Sequence, residues 1–224
     1  VDKASEKRIV ERLHELLPEA GFIAEEGSGS LEEQEYCWVV DPLDGTSNYI
    51  HDCTPYCVSI ALRNREEILL GVVYECGREE LFWAHKNSRA YLNGKEICVS
   101  DQSVLDQSFI MPELPYKAER YSPFILPLMR DLYGHVSGIR MLGSAAAELC
   151  YVAAGRFEIF IEAFLGPWDI AAGYIILKQA GGRMTDFSGN SNGPDAKEVL
   201  ASNGKVHEEL LKVLQRHKKL LKHE

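Results

Sequence analysis

Apolar positions fall along the chain in two alternating rhythms. Ile9, Leu13, Leu16 and Leu17 recur at helical spacing behind Val1-Asp2-Lys3-Ala4-Ser5-Glu6, which predicts an opening amphipathic helix. After Pro18, Phe22-Ile23-Ala24 predicts a short strand that delivers Glu25 and Glu26. A Gly27-Ser28-Gly29-Ser30 loop and an acidic run, Glu32-Glu33-Gln34-Glu35, follow; the loop lacks the Gly-Lys-Ser/Thr ending of a P-loop. Strand patterning resumes at Trp38-Val39-Val40 and continues through Tyr56 to Leu62, Ile68 to Tyr74 and Leu81 to Trp83. Asn93-Gly94 between Tyr91-Leu92 and Ile97-Val99 signals a hairpin, so this half predicts a largely antiparallel sheet.

From about Gln107 the period changes. A strand at Ser108-Phe109-Ile110-Met111 leads to a Pro-punctuated helix around Tyr121 to Tyr133. Gly143-Ser144-Ala145-Ala146-Ala147-Glu148-Leu149 opens a helix of small residues, and Phe157 to Glu162 alternates as a strand. The next helix starts at Trp168-Asp169 and stops at Ala180-Gly181-Gly182, where glycines end it. A polar loop from Asp186 to Asp195, a short strand at Val199-Leu200-Ala201 and an amphipathic helix from Lys205 to Lys222 close the chain. With no repeat or low-complexity linker, residues 1–224 read as one α+β domain with a seam near 100–107.

Composition narrows the partners. A net charge of −10 argues against nucleic-acid or anionic-membrane binding, and no apolar run reaches the length of a membrane span. The six cysteines are scattered among apolar neighbours with no C-x-x-C, which suits free thiols in a reducing cytoplasm.

The stretch with chemistry in it is Asp41-Pro42-Leu43-Asp44-Gly45-Thr46-Ser47-Asn48. Pro42 fixes its own φ and holds Asp41 extended, so that two carboxylates can aim at one point. Such a pair repels itself unless a cation intervenes, and oxygen donors with no nearby His or Cys suit Mg²⁺, with Mn²⁺ or Ca²⁺ as alternatives. The amides of Gly45, Thr46 and Ser47, at a helix start, favour an anion. Asp169, also at a helix start, is suited either to capping or to ligation.

The same stretch closely resembles the D-P-[ILV]-D-G-T-x-N signature of the inositol monophosphatase family. Trp168-Asp169-Ile170-Ala171-Ala172-Gly173 resembles its W-D-x-x-A-G signature, and Glu25-Glu26 its paired glutamates, preceded here by Ala24 where relatives usually have Gly. Arg140 with Gly143-Ser144-Ala145-Ala146 is similar to its R-x-x-G-[ST]-A-A segment. Asp2 and Glu6 are similar to the tail of T-x-x-D-x-x-x-E, which implies further helix ahead of Val1.

The resemblance implies a layered α/β/α/β/α sandwich of the inositol monophosphatase and fructose-1,6-bisphosphatase type, often dimeric, with Li⁺-sensitive, Mg²⁺-dependent hydrolysis of phosphate monoesters. One Mg²⁺ would sit on Glu25, Asp41 and the Leu43 carbonyl, and a second on Asp41, Asp44 and Asp169, with a third, weaker one near Glu25. Thr46 and Glu25 would orient the attacking water, Asp2 would hydrogen-bond Thr46, Gly45 and Thr46 amides would hold phosphate oxygens, and Ala145 and Glu162 would meet substrate hydroxyls. Two metals about 3.5–4 Å apart clamp an in-line displacement. Inositol 1-phosphate is the expected substrate, with fructose bisphosphate or a nucleotide phosphate as alternatives, and a non-catalytic regulatory relative as the rival from another class.

Overall fold

The computed structural model describes residues 1–27, 34–191 and 193–221; the Ser28-Gly29-Ser30 and Glu32-Glu33 part of the expected loop, and Lys222, lie outside them. In chain order the described helices are α1 (Asp2–Leu16), α2 (Thr46–Ile50), α3 (Ala118–Leu132), α4 (Ala145–Ala153), α5 (Pro167–Gln179) and α6 (His207–His217). Strands β1 (Gly21–Ala24), β2 (Tyr36–Asp44), β3 (Cys57–Asn64), β4 (Ile68–Glu75), β5 (Glu80–His85), β6 (Ala90–Leu92) and β7 (Lys95–Ile97) form one sheet in sequence order. It is antiparallel except where β1 joins β2 in parallel, so the expected meander and its Asn93-Gly94 hairpin are both present.

The second sheet takes β8 (Phe109–Pro112), β9 (Gly138–Ile139), β10 (Ile159–Ala163), β11 (Arg183–Thr185) and β12 (Glu198–Ser202) in the order β11-β12-β10-β8-β9. Here β8 and β10 run parallel, and β12 lies antiparallel to β10.

Side-chain alternation shows how these sheets stack. Along β2, Val39 enters the central core with α4 and α5, whereas Trp38 and Val40 point the other way, to a small core with Leu13 of α1. Along β10, Phe160 joins the central core while Ile159 and Ile161 join a third core with α3 and α6; β12 repeats the division with Val199 and Ala201 against Leu200. The layers are therefore α1, the seven-stranded sheet, α4 with α5, the five-stranded sheet, and α3 with α6: an α/β/α/β/α sandwich. Small residues make the centre tight. A Cβ on Gly71 of β4 would stand 2.6 Å from the Ala172 carbonyl oxygen of α5, so the helix backbone lies directly on the sheet.

Two expectations need adjustment. The last helix is shorter than Lys205 to Lys222: α6 spans His207–His217 and then tightens into a 3₁₀ turn at Lys218–Leu220. The two-residue β9 and three-residue β11 escaped the pattern because neither is long enough to show alternation.

Candidate active site

Residues three apart on a regular strand face opposite sides, yet Asp41 and Asp44 face one cavity. The reason is a bulge. Asp41 pairs with Ser59 and Asp44 with Cys57, so three steps along β2 match two along β3, and both carboxylates emerge on one face. Leu43 N donates to Asp41 Oδ1 at 2.9 Å across the Pro42 corner. Gly45 then takes φ +84°, and a Cβ there would come within 2.9 Å of the Pro55 carbonyl oxygen, so the turn into α2 requires glycine. Tyr49 N closes the first turn on the Gly45 carbonyl at 3.0 Å, leaving the preceding amides free of intrahelical acceptors.

Asp169 arrives from the other half of the chain. It is the third helical residue of α5, its Oδ2 accepting the Gly166 amide at 2.7 Å, and Ser59 Oγ donates to the neighbouring Trp168 carbonyl at 3.2 Å, which fastens this helix start to β3. Capping and convergence on the cavity are thus compatible roles. Carboxylate oxygens of Asp41, Asp44 and Asp169 lie within 4.8 Å of one another. Glu25, at the end of β1, stands just outside this trio, with its carboxyl in hydrogen-bond contact with Asp41.

The electrostatics of the cluster are those of crowded anions. Burial and the charges of Asp44, Glu25 and Asp169 push Asp41 up to about 10. Burial, then Asp44, push Asp169 up to about 7 against the Gly166 hydrogen bond. Asp44 and Glu25 are also raised, in each case chiefly by burial. Hard oxygen donors in such proximity fit a divalent cation of the Mg²⁺ type, whose charge would let several of them ionise together. The Cys57 thiol, 3.6 Å from Asp44 Oδ2, is no competing ligand, because burial and then the Asp44 charge hold it well above its ordinary range.

The cavity beside the cluster holds about 390 Å³ and is lined by Glu25, Asp41, Leu43, Asp44, Gly45 and Thr46 on one part, and Ala145, Glu162 and Asp169 on another. All these expected site residues are brought together. Asp2 differs: the Thr46 hydroxyl donates to the Leu43 carbonyl at 2.9 Å instead, and the Asp2 carboxylate acts on Glu25, where its charge adds to the upward shift. That nearer acceptor is only three residues away in sequence.

Other contributors were not evident in the sequence. Ser144 Oγ donates to Asp44 Oδ2 at 2.7 Å, and Ala146 N donates to the same oxygen at 2.8 Å. Glu6 Oε2 accepts the Glu26 amide at 2.9 Å, and Ser5 Oγ donates to the Pro42 carbonyl at 3.3 Å, so α1 braces the backbone of both acidic corners. Glu113, Tyr116 and Lys117 line the cavity as well. Ser144 and Glu6 stood in the family-like segments, but nothing in the sequence named Asp44 and the Glu26 amide as their partners.

Residues 1–219 match the model of the inositol monophosphatase family. A curated Thermotoga maritima relative named fructose-1,6-bisphosphatase/inositol-1-monophosphatase is 36% identical over 96% of this chain and 80% of its own. The Nus factor SuhB of Escherichia coli K12 is 38% identical over 94% and 79%. Among solved structures, the extragenic suppressor protein SuhB of Bartonella henselae superposes with a TM-score of 0.90 at 36% identity, covering 96% of this chain and 83% of that one.

Proposed function

Because this chain belongs to the inositol monophosphatase family, we propose that it is a Mg²⁺-dependent hydrolase of small phosphate monoesters, with inositol 1-phosphate as its substrate. The observation that carries the reading is the Asp41, Asp44 and Asp169 trio opening onto the same cavity as Thr46. Asp41, Asp44 and Asp169 with Glu25 and the Leu43 carbonyl would hold the metal; when bound, it acidifies water and neutralises charge on phosphate and leaving group. Mn²⁺ is an alternative occupant.

The chain's own groups account for the rest. The Thr46 hydroxyl, oriented by the Leu43 carbonyl, and Glu25 align the attacking water. Free amides at Gly45 and Thr46 receive the non-bridging phosphate oxygens. Ala145 and Glu162 meet the alcohol portion. The cavity's open side admits a small ester, and the six cysteines, all free among the described residues, suit a reducing cytoplasm. No helix among the described residues is long and apolar enough to cross a membrane. A homodimer is part of this reading, and light scattering tests it.

The name of the Escherichia coli relative, Nus factor SuhB, supports a second reading in which the role is regulatory and does not depend on turnover. The two separate in one assay of phosphate release from inositol 1-phosphate, fructose 1,6-bisphosphate and phosphoadenosine phosphate with Mg²⁺, with EDTA and with Mg²⁺ plus Li⁺. The enzyme reading expects release with Mg²⁺ that EDTA abolishes and Li⁺ inhibits, fastest for inositol 1-phosphate. No release from any of the three contradicts it.

A further inference from the structure

Two carboxyl groups on adjacent parallel strands, Glu113 and Glu162, meet at the cavity. Pro112 of β8 pairs with Ile161 of β10, and Glu113 N donates to the Ile161 carbonyl at 2.9 Å, so Glu113, just past the end of β8, lies beside Glu162, which is still within β10 and paired with Val199 of β12. Both line the cavity that holds the Asp41, Asp44 and Asp169 trio. We propose that Glu113 is a specificity-determining residue, which together with Glu162 reads hydroxyl groups on the alcohol portion and so selects phosphate esters of polyhydroxylated rings. This inference rests on the phosphatase reading above and deepens it.

The Glu113 carboxylate is held in advance. Its Oε1 accepts the Leu142 amide at 2.7 Å, and the fully buried Glu148 carboxyl lies beside it. Glu148 Oε2 accepts the Ser144 amide at 3.3 Å, while its Oε1 is buried with no hydrogen-bond partner. Two neighbouring buried carboxylates repel each other, which favours a proton on one of them. Burial and the charge of Glu113 hold Glu148 toward its acid form, so the free face of the Glu113 carboxyl, anchored by Leu142, is offered to the cavity. Glu162 is the complement: burial, then the Glu113 charge, hold it toward its acid form, able to donate. An acceptor beside a donor suits adjacent hydroxyls, each of which both donates and accepts. A ring without hydroxyls would leave these buried polar groups unpaired on binding, the situation in which sites discriminate most strongly.

The competing role for Glu113 is structural, as a prop for the Leu142 to Ser144 turn that also carries the Asp44 partner. Glu113→Gln separates the two, because its amide oxygen still accepts from Leu142 and its NH₂ can donate to Glu148, while the charge that attracts a hydroxyl is gone. The test compares myo-inositol 1-phosphate with cyclohexyl phosphate, the same ring without hydroxyls, under steady-state turnover with Mg²⁺. Expected in Glu113→Gln is an increase of about 10-fold in KM for inositol 1-phosphate, with kcat, the Mg²⁺ half-saturation and the kinetics of cyclohexyl phosphate within about twofold of wild type. Equal loss on both esters, or no loss on either, overturns the proposal. If Glu113→Gln loses its cooperative melting transition, the same ratio is read in Glu113→Asp, which withdraws the carboxylate by one methylene; an unchanged ratio there overturns it too. Wild-type release of phosphate from both esters with equal efficiency keeps the phosphatase reading and rejects this inference, whereas release from neither rejects both.

Discussion

Ser144 Oγ lies 2.7 Å from Asp44 Oδ2, a hydrogen bond between residues 100 positions apart that joins the end of β2 to the start of α4. It fixes a buried carboxylate that faces the Asp41 and Asp169 carboxylates, and it ties the two halves of the chain at the site itself. Removing the hydroxyl leaves Asp44 Oδ2 with the Ala146 amide and the weaker Cys57 thiol. Ser144→Ala is expected to raise the Mg²⁺ half-saturation of turnover about 10-fold and to lower stability by about 1–2 kcal/mol, the worth of a buried charge-assisted hydrogen bond. A Mg²⁺ titration and urea unfolding read the two effects.

The crowded carboxylates predict a stabilising cation. Saturating Mg²⁺, at about 100 times its Kd, would add about 2.7 kcal/mol to the folded state. For a chain of this size that raises the melting temperature by about 5–10 °C. Asp41→Asn removes the member on which the other three charges converge, so its metal-free melting temperature should exceed that of the wild type while the Mg²⁺ increment shrinks. Differential scanning calorimetry with and without Mg²⁺ measures both.

Gly45 predicts a backbone lesion. Alanine would have to adopt φ near +84° with its Cβ 2.9 Å from the Pro55 carbonyl oxygen. The conformational cost alone is about 1–2 kcal/mol, and any relief by movement displaces Thr46. Gly45→Ala should therefore lose most turnover with a cooperative but lower melting transition, visible by comparing kcat with thermal unfolding.

His207 gives a pH dependence remote from the site. It is fully buried, with Nδ1 2.8 Å from Ser202 Oγ and Nε2 3.0 Å from Thr185 Oγ1. Burial, then the Arg183 charge, lower it to about 4 from an ordinary 6.5. Between those two values the unfolded chain binds the proton and the folded one does not, so stability falls as pH falls through this window, by up to about 3 kcal/mol. Above 6.5 the contribution is constant. His207→Gln should flatten this part of the profile, as measured by urea unfolding from pH 7.5 to 4.5 for both proteins.

The seven-stranded meander was legible because β3, β4 and β5 are long enough to alternate and Asn93-Gly94 marks the hairpin that joins the three-residue β6 and β7. The acidic corner was legible because Pro42, Gly45 and two aspartates leave few other conformations. The bulge that turns Asp41 and Asp44 to one face is a property of pairing with Ser59 and Cys57, which no local pattern encodes. Ser144 and Glu113 act through partners distant in sequence, Asp44 and Leu142, which no local pattern names. For Asp2 a motif proposed a bond to Thr46, whereas in the structure the Thr46 hydroxyl donates to the Leu43 carbonyl, closer along the chain.

The central claim is that Asp41, Asp44 and Asp169 hold the metal that drives phosphate release. Its most direct test is turnover of inositol 1-phosphate by wild type and Asp44→Asn across the attainable range of Mg²⁺ concentration. A loss of at least about 100-fold in kcat at every concentration, with folding intact by circular dichroism, is the predicted result. Near-normal turnover by Asp44→Asn would contradict it.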